Sequence, residues 1–530
     1  MNIVPLVERL AVAEQYHADP SETDPDIRPT ITLQAGNLHI TATQAERALI
    51  LSEAPFYVRG GAIMQPVVDK LPSSSGGTVN VASLTQVTDS TLIDHLSRNA
   101  KWEKFDGRKQ KMVAADPSAL VAATILSRKA EWTFPRLAGV ITTPTLRPDG
   151  TILSEPGYDL ATQLLLLHPP KLPPIPDRPT KDDAIAALAK LNGLLDDFPF
   201  VDAVSRSVAL SALITPVVRG AMQVVPMHAI TATTAGSGKS YIVDLASAIS
   251  AGERAPVISV ATKSEETEKR LQSAVLEGNP LIAIDNVNGE LGGDFLCQMI
   301  ERPIVSVRPL GVSKLTKVES RACCFATGNN IQLVGDMTRR VLLCSLDPNV
   351  ERPELRQFQG NPFQAVLADR PAYIAAALVI GRAYASAGYP GALTSLASFE
   401  DWSRSVRSAL VWLGQPDPVK SMERARDEDP ITSALTVLFT AWEAIMGSNA
   451  KPVGEVIATA ELPEPYGNVT RAQFRQALAD VATDKSGKLS NASLGRYLGR
   501  YAGRVVGGLK LVSIKDSHTK QFWWKVERVT

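Results

Sequence analysis

Cysteine is scarce in this chain: Cys297, Cys323, Cys324 and Cys344 are the only four among 530 residues. None is paired at the C-x-x-C spacing of a structural zinc site, and four thiols cannot frame a fold of this length. That argues against a disulfide scaffold or a zinc ribbon, and a reducing cytoplasm fits best. Net charge is absent too, since 55 Lys and Arg balance 55 Asp and Glu. The chain is therefore not a uniformly basic coat for nucleic acid, although overall neutrality can hide a local patch. Long hydrophobic runs are also missing. The longest, around Leu164–Leu167 and Ala375–Gly381, fall far short of the roughly 20 residues that cross a bilayer. The first ten residues carry Glu8 and Arg9 beside short apolar stretches, unlike a signal peptide. What is present is ordinary globular composition, 45% hydrophobic and 21% charged with 35 Gly and 36 Pro. This excludes a wholly disordered, collagenous or coiled-coil chain. The length exceeds what one core can serve and suggests roughly three or four domains.

The clearest boundary is HPPKLPPIPDRPT, where six prolines fall between Pro169 and Pro179; they forbid helix and favour a stiff, extended linker over 169–180. Upstream, residues 1–168 read as an α+β domain. Ala48–Val68 alternates like two short strands around Gly60-Gly61, Pro117–Arg128 has helical spacing, and Pro135–Leu153 reads as strand, turn at Asp149-Gly150, strand. Downstream, Lys181–Asp197 and Val201–Met222 have helical spacing. From Pro226 to Val287 strands alternate with helices, which predicts a parallel sheet with crossover helices. Residues 361–465 read as a helical domain, and from Arg471 onward helices give way to a short β-ribbon.

The strongest local signal is TTAGSGKS (Thr233–Ser240), between strand-like MHAITA and helical KSYIVDLASAIS. That is the context of a phosphate-binding loop. Gly236 and Gly238 let the backbone N–H groups of Thr234, Ala235, Gly236, Ser237 and Gly238 face a nucleotide's phosphates, and the helix N-terminus adds partial positive charge. Lys239 would reach the β- and γ-phosphates, and the Ser240 hydroxyl would ligate Mg²⁺. ATP and Mg²⁺ are the expected cofactors. Thr233 stands where the usual pattern has glycine. PLIAIDNV (Pro280–Val287) is an apolar strand ending in Asp285, placed to bring a carboxylate to the same Mg²⁺. Asn286 follows, and an amide cannot act as a general base. Glu265 or Glu266 could take that part from the end of the neighbouring strand; alternatively they are acids favoured in the first turn of a helix. ACCFATGNN runs into Thr327, Asn329 and Asn330, where an amide beside a phosphate loop can sense the γ-phosphate, though Gly-Asn-Asn also suits a plain turn. Cys323 and Cys324 read as small buried residues, one on each face of that strand. Arg339-Arg340 in GDMTRRVL are either surface residues or an arginine finger for a neighbour's ATP.

The phosphate loop, IDNV, ATGNN and GDMTRR in this order resemble the AAA+ ATPase module of replicative helicases carried by phages, prophages and integrative mobile elements, a group related to superfamily 3 and MCM-like helicases. PRLAGVITTPTLRPDGTILSEPGYD (Pro135–Asp159) and WSRSVRSALVWLGQPDP (Trp402–Pro418) resemble the segments flanking that module. The resemblance implies a multidomain α/β chain, with the ATPase at 181–360 including a helical lead-in. It implies a DNA-stimulated ATPase working in DNA replication as a homo-oligomeric ring, expected to be a hexamer. It further implies Lys239, Ser240 and Asp285 at phosphate and Mg²⁺, Asn329 as sensor, and Arg339 or Arg340 as finger. The polymerase-type primase domain often fused upstream is expected to be missing, 1–168 being too short for it.

Two regions suggest DNA contacts. PIVSVRPLGVSKLTKVES (Pro303–Ser320) reads as a β-hairpin with Arg308, Lys314 and Lys317 near its tip; related helicases insert such a hairpin into the ring's pore, where it grips single-stranded DNA. It also reads as a surface hairpin with ordinary lysines. Lys485–Thr530 holds ten basic residues against Asp516 and Glu527, a net charge of +8. Arg496, Arg500 and Arg504 recur every fourth residue, on one helical face. With the following strands this predicts a winged-helix domain over 466–530 that binds duplex DNA, unless the face is simply solvated. Trp523-Trp524 are expected to split between core and surface. Two function classes remain open: a ring-shaped motor hydrolysing ATP between subunits, and a non-motor P-loop switch that binds DNA as an initiator or regulator. A small-molecule kinase explains neither the hairpin nor the tail.

Overall fold

The computed structural model describes residues 27–72, 78–261, 264–308, 315–356, 360–427, 429–462, 470–484, 487–515 and 521–529. It is a mixed α/β, multidomain chain. The apolar runs of the middle third form five strands, β1 (Met227–Ala232), β2 (Val257–Ser259), β3 (Leu281–Leu291), β4 (Cys323–Leu333) and β5 (Val341–Leu346). They lie in the order β2-β3-β4-β1-β5, and every neighbouring pair is parallel, as the alternation predicts. Such strands are buried on both faces and need continuous apolar sequence. Ala229, Ile230, Ile284, Phe325, Ala326 and Leu342 meet that need, and all are buried. Helices Ala203–Ile214 and Lys239–Ser250 share their core. Cys323 and Cys324 are buried as expected, and burial raises their thiols to about 11 and about 12, which leaves them unreactive.

The N-terminal module is α+β, as read, with its own core of Ile31, Leu49, Phe56, Leu92, Trp102 and Ile125. Helix Ala119–Ser127 starts at Ser118, whose hydroxyl accepts from Val121 N. Strands Tyr57–Arg59 and Ala62–Pro72 pair around Gly60-Gly61. Ala48–Leu51, expected as strand, instead closes helix Leu38–Leu51, because Ala45, Ala48 and Leu49 bury one helical face. Several hydrogen bonds tie this module to the central unit. Arg59 Nη2 donates to the Val275 carbonyl at 2.9 Å, Gly220 N donates to Thr145 Oγ1 at 3.0 Å, and the Thr143 hydroxyl donates to the Ser250 carbonyl. The proline-rich stretch is free of helix, and Thr180 with Asp183 forms a capping box that starts helix Lys181–Gly193.

The helical domain expected at 361–465 is corrected by the packing. Phe363, Ile374, Leu378, Trp402, Leu410 and Met422 belong to the core of the central unit, whereas Leu435, Phe439 and Trp442 belong to a separate C-terminal core with Leu494, Leu498 and Trp524. The break falls at buried Asp429, which accepts from Ile431 N and opens helix Pro430–Met446 with Pro430 in its first turn. The C-terminal module thus begins some way before residue 466. It holds helices Pro430–Met446, Val453–Glu461, Thr470–Ala482 and Asn491–Tyr501, and a sheet in the order Lys451–Pro452, Phe522–Arg528, Leu509–Lys515, Val505–Val506. Trp524 is buried and Trp523 half-buried. Among the described residues no single helix is long and apolar enough to cross a membrane.

Candidate functional site

After β1 the chain turns through Thr233–Gly238 into helix Lys239–Ser250. Gly236 and Gly238 have φ of 75° and 95°, a region open to glycine and strained for other residues. At Gly238 a Cβ would also lie 3.0 Å from the Phe198 ring. Lys239 Nζ arches back over the loop and donates to the Thr234 carbonyl at 2.8 Å and to Ser237 Oγ at 3.1 Å. Burial lowers its pKa, opposed by the charge of Asp285.

Asp285 lies between the loop and β4. Its Oδ1 accepts from the Thr327 hydroxyl and from Ser240 Oγ at 3.4 Å. A hydroxyl and a carboxylate meeting at one point, with room for water and phosphate oxygens, is the donor set Mg²⁺ takes. Beyond Asp285 the β3–β4 register slips between Ile284 and Val287, and Asn286 adopts φ of 62°. Gly328 makes this possible, since a Cβ there would stand 1.9 Å from the Val287 carbonyl oxygen. The bulge puts Asn286 on the wall of an open cleft of about 800 Å³, together with Gly236–Tyr241, Asp285 and Asn329. The Asn329 side-chain oxygen is buried there with no hydrogen-bond partner among the described residues. Sequence reading missed the far rim, where Phe198 faces Tyr241 at 6.0 Å and Tyr241 OH donates to Asn361 Oδ1 at 2.7 Å. Only the proximity of an aromatic to the lead-in helix hinted at it.

Loop, Lys239, Ser240, Asp285 and Asn329 therefore come together. Glu265 and Glu266 do not join them. Both are exposed in the first turn of helix Ser264–Glu277 and outside the cleft lining, with Glu266 3.6 Å from Lys269 and 3.9 Å from Arg270. The finger reading of Arg340 is corrected as well. Its side chain is buried and held by the Glu301 carboxylate, by Asp336 at 3.0 Å and by the Asp336 carbonyl at 2.8 Å, so it cannot extend to another subunit. Arg339 is partly exposed, 3.2 Å from Glu301 and 3.4 Å from Asp336.

The hairpin expected after β3 is present as Ile304–Val307 paired with Thr316–Glu319. Val305, Val307 and Val318 are buried, and Gly60 of the N-terminal module packs on Val318 and Thr316. Lys317 is exposed, Arg308 N donates to Gln272 Oε1 at 3.0 Å, and Lys314 lies outside the described residues. Arg496 and Arg500 are exposed on helix Asn491–Tyr501. Arg504 departs from the expectation. The helix stops at Tyr501, and the Arg504 guanidinium turns inward to Thr432 Oγ1 at 3.1 Å and to buried Asp429 at 3.8 Å. Arg504→Ala should therefore destabilise the C-terminal module by about 1–3 kcal/mol, read by thermal unfolding. A basic surface that sequence reading missed is the hairpin Lys101–Asp106/Lys111–Ala114. Phe105 and Met112 are cross-strand partners, 58% and 39% exposed, beside exposed Lys104, Arg108, Lys109 and Lys111. The run KWEKFDGRKQKM carried that signal.

No protein-family model matches the chain, and no curated protein matches it. Among solved structures it is similar to the A form apo structure of the NrS-1 C-terminal region, at 11% identity and a TM-score of 0.35, over 85% of this chain and 94% of that one. A second A form apo structure of that region, spanning residues 305–718, is likewise 11% identical with a TM-score of 0.35, over 92% of this chain and 99% of that one.

Proposed function

We propose that this chain is a Mg²⁺-dependent P-loop ATPase of the AAA+ type, working as a DNA helicase or translocase in the replication of a mobile genetic element. One observation carries the nucleotide reading: the glycine loop at a helix N-terminus, the Ser240–Asp285–Thr327 cluster and the unpartnered side-chain oxygen of Asn329 meet in one cleft. Backbone N–H groups of the loop and Lys239 hold the phosphates; Ser240 and Asp285 hold Mg²⁺; Asn329 donates to or accepts from what sits at the phosphate end. Bound Mg²⁺ would neutralise charge developing on the phosphoryl oxygens. The strand order β2-β3-β4-β1-β5 agrees with the AAA+ reading, and Arg339 is the remaining candidate for a finger shared between subunits of a ring.

The DNA reading rests on the basic C-terminal module, whose helix Asn491–Tyr501 followed by the ribbon Leu509–Lys515/Phe522–Arg528 suits a winged helix. Replacing Arg496 and Arg500 by Ala should weaken duplex binding and lower the log–log salt slope by about 0.9 for each phosphate no longer neutralised. Unchanged slopes in a salt titration would make this face a solvated surface.

A second reading, a non-motor switch in which ATP controls assembly on DNA, is favoured by Asn286. It leaves Asp285 without an acidic neighbour in sequence, and Asp197 is the only other carboxylate in the cleft lining among the described residues. A fork-unwinding assay with and without ATP, beside mass measurement of the assembly, separates the two. Strand displacement by a ring supports the motor, and hydrolysis without displacement supports the switch.

A further inference from the structure

In the N-terminal module, strands Lys101–Asp106 and Lys111–Ala114 form a ribbon that pairs with Thr30–Leu33 into a three-stranded sheet. Successive side chains on a strand point to opposite faces. Ile31 and Trp102 accordingly share the inward face and lie in the core of the module. The outward face carries Thr32, Lys101, Glu103, Phe105, Met112 and Ala114. Phe105 and Met112 are directly opposite each other across the ribbon, with Cβ atoms about 5 Å apart in such a pair. Phe105 is 58% exposed and makes no ring contact among the described residues. The two side chains make an apolar strip at the free end of the ribbon, outside the core.

Cations surround this strip. Lys104, Arg108, Lys109 and Lys111 are all exposed, and none has an ion-pair partner among the described residues. Asp106 is the one acid between positions 104 and 111, and it is taken up by the turn. Its Oδ1 accepts from Arg108 N at 2.9 Å and from Lys109 N at 3.2 Å. Gln110, at φ of 50°, closes the turn by donating its Nε2 to the Gly107 carbonyl at 2.8 Å. The backbone that presents Arg108 and Lys109 is therefore preorganised. Lys104 and Lys111 start from the inward side of the ribbon, but their long stems let the ammonium groups reach its rim. On the outward side a shallow groove of about 500 Å³ runs from Met112 past Ala114 to Lys101 and Thr30. Glu103, which also lines it, accepts from the Thr32 hydroxyl at 2.8 Å.

We propose that this ribbon binds single-stranded DNA, one base stacking on Phe105 beside Met112 and the flanking phosphates meeting Lys104, Arg108, Lys109 and Lys111. The cations by themselves would suit any polyanion. The apolar strip narrows the choice, because it has no donor or acceptor with which to read base edges. What it offers is area for a base face, which a duplex keeps inside its stack and a single strand exposes. The choice of DNA over RNA rests on the DNA reading given above. The site shares no residue with the glycine loop, the Pro303–Ser320 hairpin or the C-terminal module.

The test is an anisotropy titration of the full chain with labelled oligo(dT) of about 15 nucleotides. Labelled duplex DNA, oligo(U) and vesicles of phosphatidylcholine with phosphatidylserine are titrated in parallel. Phe105→Leu keeps the apolar bulk without the stacking face and should weaken oligo(dT) binding about tenfold. Replacing the four cations by Gln should lower the log–log salt slope by about 0.7 for each phosphate no longer neutralised. All these side chains are exposed, so both variants should unfold at the native midpoint and bind duplex as the unaltered chain does. An oligomer carrying 5-iododeoxyuridine should photocrosslink to Phe105, as located by peptide mass spectrometry. Equal weakening of duplex binding, tighter binding of oligo(U) than of oligo(dT), or an effect confined to the vesicles would each overturn the proposal. Oligo(dT) binding that neither variant weakens rejects this site alone. An unaltered chain that binds neither oligomer nor duplex rejects the DNA reading and this site with it.

Discussion

Lys239→Ala should lower ATP turnover by about a hundredfold or more, the scale of losing one preorganised group that stabilises transition-state charge, while duplex binding stays intact. The lysine is only half-buried and its two hydrogen bonds are made to its own loop, so the thermal midpoint should hardly move. Arg496 and Arg500 sit on a module with a separate core. Steady-state phosphate release and a DNA titration on the same preparation check both halves. Hydrolysis at the native rate would remove the nucleotide assignment; a joint loss of hydrolysis and DNA binding would mean the two modules are coupled in a way their cores do not suggest.

The second large effect is on stability. Arg340→Ala leaves the partly buried Glu301 with only Arg339 and the Ser398 hydroxyl, and breaking a buried ion pair from one side costs about 3–5 kcal/mol. Arg339→Ala, on the more exposed partner, should cost about 1 kcal/mol or less and is the variant to mix with Lys239→Ala protein. Recovery of ATPase in the mixture is expected if Arg339 serves a neighbour's site, and no recovery in assembled mixtures rejects it. The pair also sets a pH dependence. Burial pushes the Glu301 carboxyl up, but hydrogen bonds from Arg340 and Ser398 and the charges of Arg340 and Arg339 bring it down to about 2. A depressed carboxylate stabilises the fold fully above its unfolded pKa, near ~4.3, and the contribution is lost as pH falls toward about 2. Glu301→Gln should therefore flatten the acid side of the stability profile between about pH 5 and pH 2, as followed by denaturant midpoints.

The cleft itself was largely legible because its signals are local: glycines at fixed spacing before a helix, and an apolar strand ending in Asp285. The bulge that moves Asn286 onto the cleft wall was not, because it depends on Gly328, a partner on another strand that no spacing rule connects to it. The basic pairs failed for a similar reason. Arg340 and Arg504 look like any surface arginine in sequence; Asp336 is near Arg340, but the partly buried Glu301 and the buried Asp429 that draw the two side chains inward lie far away along the chain. Helical periodicity located the elements of 361–465 but could not say which core each would join. The Asp429-Pro430 start signal was visible, yet it reads the same between two helices of one domain as between two domains.

The proline-rich span 169–180 looks like a hinge when read alone. Hydrogen bonds bypass it, among them Arg59 to Val275, Gly220 to Thr145 and Thr143 to Ser250. Leu172 and Ile175 from the span itself pack on the central core, and Asp177 meets Arg382 at 3.1 Å. It is a strap laid along the central core. Mechanical slack must then be sought elsewhere, at the passage through Asp429 where one core ends and the next begins. Shortening the span should leave the N-terminal module seated, whereas cutting its ties should set it swinging.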